Sequence, residues 1–180
     1  MYAFLRKSAR YCAWIMATGA ACGAQAETPP STPQLAFVFE ETVALADGIP
    51  VGPTPLGIRN IVPITGGTFS GPGDGSGIKG EIIPGGWDWQ LIHADADNCA
   101  SIKADYMLKT DDGVVINVVN AGNLCRPPEG QPMKPGYTAP VFEAPIGKYD
   151  WLNKSAFIGT LEPAMLDGKP AVHIRFYRAQ

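Results

Sequence analysis

Apolar residues along this chain recur mostly at every second position, in short runs that end in Gly, Pro, Asn or Asp. Period-two patterning of this kind, bounded by turn residues, is the signature of half-buried β-strands. The runs fall at Leu35 to Leu45, Ile58 to Phe69, Ile78 to Ile83, Trp87 to His93, Ser101 to Lys109, Val114 to Ala121, Pro140 to Ala144, Phe157 to Leu161 and Ala171 to Tyr177. No stretch of about 12 residues keeps a 3.6-residue apolar period, so helices are expected only as short turns, the best candidate being Lys148 to Asn153. The expected fold is therefore all-β. About nine short strands with tight connections form a sandwich or a closed antiparallel barrel, and closure is favoured because it leaves no unpaired edge.

One hairpin can be registered from its turn. In Lys109-Thr110-Asp111-Asp112-Gly113-Val114, the two acids suit the right-handed positions of a type I turn and Gly113 the left-handed position of a three-residue loop. Thr110 then faces Val114. Stepping outward along both strands brings Cys99 opposite Cys125, within reach of a disulfide. The same register puts Ile102, Ala104, Tyr106 and Leu108 on one face with Ile116, Val118 and Asn120, which reads as the interior. Lys103, Asp105, Met107 and Lys109 share the outer face with Val115 and Asn117. That face, with Val119 beyond it, is apolar enough to predict an oligomer, most simply a homodimer.

The start of the chain changes the chemical setting. Arg6, Lys7 and Arg10 precede an apolar and small-residue run from Tyr11 to Gly23 and then Ala24-Gln25-Ala26, the pattern of a cleaved signal peptide over residues 1–26. The run is too short for a stable membrane anchor. Residues 27–33 read as a flexible, Pro-rich leader and 34–180 as a single β-barrel domain. Cys12 and Cys22 leave with the signal, so the two remaining thiols are Cys99 and Cys125, as expected of a disulfide in a periplasmic or secreted protein. The signal also carries away three of the 14 basic residues and none of the 17 acids, so the net charge moves from −3 to −6. No basic run interleaved with aromatics remains, and nucleic acid is not an expected partner.

The stretch Gly57 to Pro72, followed by Pro84-Gly85-Gly86-Trp87-Asp88-Trp89-Gln90, resembles the signature of a bacterial family carrying domain of unknown function 3237. Tyr106 to Gly113, Asn120-Ala121-Gly122 and Tyr149 to Gly159 match it as well, with order and spacing kept from about Leu35 to Tyr177. The resemblance implies an antiparallel barrel of calycin-like type, often oligomeric, and implies no established reaction. This chain departs from the family pattern in its leader and in Lys103 and Asp105, where an acid and then a base are usual.

Candidate chemistry centres on the inner face. Tyr106 and Asn120, a phenol and an amide among aliphatic residues, can fix a small apolar ligand that supplies a hydrogen-bond acceptor, or satisfy buried neighbours. Asp88 alternates with Trp87 and Trp89, so it faces away from both indoles. In the lumen its pKa would rise and it becomes a candidate catalytic acid or base with Tyr106; otherwise it caps the Pro84-Gly85-Gly86 turn. Arg59 would bind a ligand carboxylate or pair with Asp88. Thr65 and Thr68 flank Gly66-Gly67, a pair that signals a bulge or close backbone approach, and Thr68 is a further ligand contact. Trp89, Trp151 and Asn153 complete the candidate ligand contacts, with Trp151-Leu152-Asn153 reading either as a plug at one barrel end or as a stacking platform.

Several other motifs are incomplete. Gly71 to Gly77 lacks the spacing of a phosphate loop, Asp95-Ala96-Asp97-Asn98 lacks the rest of a calcium loop, and His93 and His173 stand alone. No metal and no cofactor is called for. The leading reading is an exported barrel that binds a small hydrophobic or aromatic molecule. The alternatives are a cofactor-independent lyase or isomerase using Asp88 and Tyr106, and a structural or protein-interaction module.

Overall fold

The computed structural model describes residues 32–93 and 99–180. Nine strands are present: β1 (Leu35–Leu45), β2 (Ile49–Thr54), β3 (Gly57–Gly71), β4 (Ile78–Ile92), β5 (Cys99–Thr110), β6 (Val115–Cys125), β7 (Gly136–Glu143), β8 (Phe157–Leu166) and β9 (Lys169–Ala179). They run in the order β1-β9-β8-β7-β6-β5-β4-β3, and β1 also pairs with β3, which closes an eight-stranded antiparallel barrel. β2 lies outside the closed ring, paired to one half of β3. The expected signal peptide and most of the leader lie outside the described residues.

The strand count agrees with expectation through two compensating differences. Ile78 to Ile83 and Trp87 to His93 are one strand, bent by a register shift between Ile83 and Trp87. β2 is the unexpected strand, because Pro50, Gly52 and Pro53 remove donors and side chains from it; it survives as an edge with a register shift at Pro50/Gly52. The expected irregularity at Gly66-Gly67 is there, with register shifts on both sides of β3.

The β5–β6 hairpin holds the register set by its turn. Thr110 N–H donates to Val114 O and Gly113, with φ +86°, closes the loop. Cys99 stands opposite Cys125, and the two are joined by a disulfide. Ile102, Tyr106, Leu108, Ile116, Val118 and Asn120 are all buried, whereas Met107 and Val115 are exposed.

The two ends of the barrel differ. At one end Phe39, Phe69, Phe142, Phe157 and Phe176 form a continuous aromatic cluster with ring centroids 4.8–5.9 Å apart. A 3-10 turn, η1 (Asp150–Lys154), caps this end and buries Leu152. It fills the gap left where β7 and β8 pair over only three positions. The Asn153 amide fastens it, donating to Ala144 O and accepting from Ala144 N–H, each at 2.8 Å. The opposite end, where β4 finishes and β5 starts, carries the disulfide and the cavity.

Candidate functional site

A cavity of about 60 Å³ occupies the disulfide end of the lumen, room for a few waters or one edge of a small organic molecule. Aliphatic side chains such as Val43, Ile64, Ile102 and Ile174 make up most of its wall. The polar exceptions are Asp88, Gln90, Tyr106 and Asn120. Gln90, Leu45, Leu124 and Val172 are only partly buried, so the cavity widens toward the rim.

Strand alternation places each polar group. On β4, Trp87 and Trp89 are exposed at 41% and 46%, and Asp88 between them points inward. On β5, Tyr106 shares the inner face with Ile102 and Leu108, and Gly86 of β4 lets it sit there: a Cβ on Gly86 would lie 2.5 Å from the Tyr106 Cβ. β1 contributes Glu41, on the same face as Phe39 and Val43 and 1% exposed. The Tyr106 hydroxyl donates a short hydrogen bond to Glu41 Oε1.

Electrostatics follow from this burial. Desolvation pushes the Glu41 carboxyl up to about 8, against the opposing effect of the Tyr106 hydrogen bond, so Glu41 carries a proton at neutral pH. Tyr106 is held well above the ordinary phenol range, first by burial and then by the Glu41 carboxyl, while Asn120 works the other way. Burial also raises Asp88, opposed by hydrogen bonds from the Gln90 side chain and the Lys103 backbone. Gln90 Nε2 donates to Asp88 Oδ2 at 2.9 Å, and Asn60 Nδ2 donates to Gln90 Oε1 at 3.2 Å. Asp88 Oδ1, Asn120 Oδ1 and Glu41 Oε2 are buried with no protein partner.

The cavity thus brings together three of the residues singled out in the sequence, Asp88, Tyr106 and Asn120. The other five stand elsewhere. Arg59 does not pair with Asp88: β3 turns Val62 and Ile64 inward and Arg59 outward, into a shallow outer groove beside Trp89, Lys103 and Asp105. Thr68 is exposed opposite Glu81, and Trp89 lies on the outer wall. Trp151 and Asn153 belong to the plug at the aromatic end, where Trp151 packs on Phe157 and Arg178. Asp88 does not serve as a turn cap, since its oxygens face Gln90 and the lumen.

Glu41 was missed, although a signal for it existed. In Leu35 to Leu45, Phe37, Phe39, Val43 and Leu45 alternate on the odd positions, and Glu41 falls on that face. Gln90 and Asn60 follow the same logic from Asp88 and Val62. Among the described residues, no group of three or more His, Cys, Asp or Glu converges as a metal site.

A family model described as "Protein of unknown function (DUF3237)" matches residues 33–179. A protein of Rhodopseudomonas palustris (strain TIE-1) named "UPF0311 protein" is 35% identical over 135 residues, covering 69% of this chain and 84% of that relative. A crystal structure from Acinetobacter baumannii, described as a beta-barrel like protein, is similar with a TM-score of 0.69 and 32% identity, over 84% of this chain and 98% of that one. A more distant relative from Penicillium herquei, named "Hydroalkoxylation enzyme phnH", is 26% identical over 132 residues, 73% of this chain and 76% of the relative. The barrel, its registered hairpin and a match spanning nearly every described residue agree, and the chain belongs to the DUF3237 family of unknown function.

Proposed function

We propose that the protein is a proton-transfer enzyme acting on a small, mostly apolar molecule in the lumen, with Asp88 as the base and Tyr106 as the acid. The observation that carries this reading is the buried Glu41 carboxyl behind the Tyr106 phenol, with a second carboxyl, Asp88, on the neighbouring strand of the same cavity. Two titratable groups in different surroundings divide the roles of acid and base between them.

The division has a physical basis. A protonated Glu41 is a stronger acid than a phenol, so it can reverse the direction of the shared hydrogen bond and donate to the Tyr106 oxygen. The phenol hydrogen is then free to turn toward the cavity. Asp88 Oδ1 takes a proton from the substrate as its electron pair moves to form or break a bond, and Tyr106 delivers a proton at the far end of that shift. Glu41 restores the Tyr106 proton, and one proton passing from Asp88 back to Glu41 through the cavity mouth resets the site. In an apolar wall each of these interactions is stronger than in water.

Addition to a carbon–carbon double bond, or its reverse, is the reaction class this arrangement suits. The name of the Penicillium herquei relative, a hydroalkoxylation enzyme, supports the same class. An exported location is part of the proposal, supported by the amino-terminal pattern and by the Cys99–Cys125 bridge, a bond that persists in oxidising compartments. Among the described residues no helix is long and apolar enough to cross a membrane. The mostly aliphatic wall also favours a second reading, a carrier that binds without turnover.

Ring closure of 1-(2-hydroxyphenyl)prop-2-en-1-one to chroman-4-one, followed by absorbance, separates the two. The enzyme reading predicts acceleration that falls by roughly 100-fold or more in Asp88→Asn, the scale of a lost general base. Binding of the probe with no acceleration would leave the carrier reading in place.

A further inference from the structure

We infer that the lumen selects a neutral molecule by a hydroxyl group, held by Asp88 Oδ1 and Asn120 Oδ1, and rejects anions of the same shape. This deepens the proton-transfer reading and rests on it for the role of Asp88, but it is a statement about recognition and is tested without turnover.

The sequence alone favoured the opposite polarity, a ligand acceptor between phenol and amide. The structure reverses it because in the resting site the Tyr106 hydrogen is held by Glu41 Oε1, and it turns to the cavity only in the proton-transfer step, when Glu41 donates in its place. What the cavity wall leaves over are acceptors: Asp88 Oδ1 and Asn120 Oδ1 are both buried without a protein partner. Asn120 is 2% exposed and lines the cavity, so its oxygen has no route to bulk water except through the ligand space. A buried acceptor of this kind is costly unless a donor reaches it.

Which Asp88 oxygen is left over is itself fixed. Gln90 occupies Oδ2, and Asn60 orients Gln90 by donating to its amide oxygen, so that the Gln90 NH2 group faces Asp88. Asn60 in turn is seated against Gly48, where a Cβ would come within 2.7 Å of its amide. The chain from Asn60 through Gln90 thus occupies Oδ2 and leaves Oδ1, on a residue that lines the cavity, without a protein partner.

Charge decides the second half of the inference. Among the described residues no Lys, Arg or His lines the cavity, and Arg59, the cation that sequence alone set beside Asp88, stands on the outer wall. A carboxylate entering the lumen would meet the Asp88 carboxyl and the unpaired Asn120 Oδ1 with no compensating charge. A hydroxyl meets them as a donor, and the aliphatic wall takes the rest of the molecule's edge, with the remainder at the rim.

Phenol, anisole and benzoate at neutral pH share one ring and differ only in donor and charge. Titrated into the protein, phenol should bind at least about tenfold more tightly than anisole, the scale of one hydrogen bond to a charged acceptor, and benzoate should show no binding. Phenol should also shift the Asn120 side-chain amide resonance in 15N spectra. Asp88→Ala and Asn120→Leu should each bring phenol affinity toward that of anisole. Anisole equal to phenol, benzoate tighter than phenol, or no binding by any of the three would overturn the inference. Phenol selectivity without turnover of the enone probe defeats only the enzyme reading, and turnover with equal phenol and anisole binding defeats only this one.

Discussion

The two ends of this barrel are built from the same strands yet serve different ends. Beyond Glu41 and Tyr106 on one side, the inward positions are apolar and filled, with Thr110 at the hairpin turn the polar exception: Phe39, Phe176, Leu108, Ile116 and Val118 are each fully buried. On the other side the same alternation turns Asp88, Gln90 and Asn120 inward around a cavity. The first end repeats what a core requires, namely apolar volume in contact on all sides. The second departs from it by burying oxygen atoms with no partner, which costs stability and is retained where a site needs the groups. Glu41 and Tyr106 sit at the boundary, so the packed end excludes water from behind the pair while the cavity meets it from the front.

Four perturbations should sharpen that contrast, in descending size. Phe39→Ala or Phe176→Ala removes a ring from the filled end and should cost about 3–5 kcal/mol in urea unfolding, with the cavity's ligand preference unchanged in whatever stays folded. Removing the Cys99–Cys125 bridge at the open end, whose loop spans 26 positions, should cost roughly 3 kcal/mol by the chain-entropy argument.

The third concerns pH. Glu41 holds its proton up to about 8 in the fold and only to about 4.5 in the unfolded chain. Between those values the folded state binds the extra proton, so stability falls as pH rises, by up to about 1.4 kcal/mol per pH unit, and levels off above the folded pKa. Glu41→Gln should remove most of this slope. The smallest effect is Tyr106→Phe, which should weaken binding of a hydroxyl ligand by no more than about 1 kcal/mol, since Tyr106 acts on Glu41 rather than on the ligand's hydroxyl, yet should abolish proton delivery. A Tyr106→Phe protein with undiminished turnover would remove the acid assigned here.

The packed end was largely legible in the sequence. The Asp111-Asp112-Gly113 turn fixed a register that ran unbroken to Cys99 and Cys125, and with it the inner face of β5 and β6. Asp88 was legible in part: alternation set it on the face opposite both indoles, while whether that face was the lumen stayed open. β3 was not, because Ile58, Ile61, Val62 and Ile64 put apolar residues on both parities; the pattern did not say which face Arg59 shared. β2 escaped because Pro50 and Pro53 are poor strand residues that an edge position tolerates. Glu41 escaped for a different reason. Its parity marked it as internal, but an acid beside another acid, Glu40, reads as surface unless the partner across the lumen is known, and Tyr106 lies 65 positions away.

Tyr106 can act as the acid proposed here only if the Glu41 behind it keeps its proton at neutral pH. A 13C NMR titration of the Glu41 side-chain carboxyl in the wild-type protein, assigned by its loss in Glu41→Gln, measures this directly. A Glu41 that burial keeps protonated gives a midpoint near 8. A carboxyl already ionised below about 5, the ordinary range for a glutamate, would contradict it.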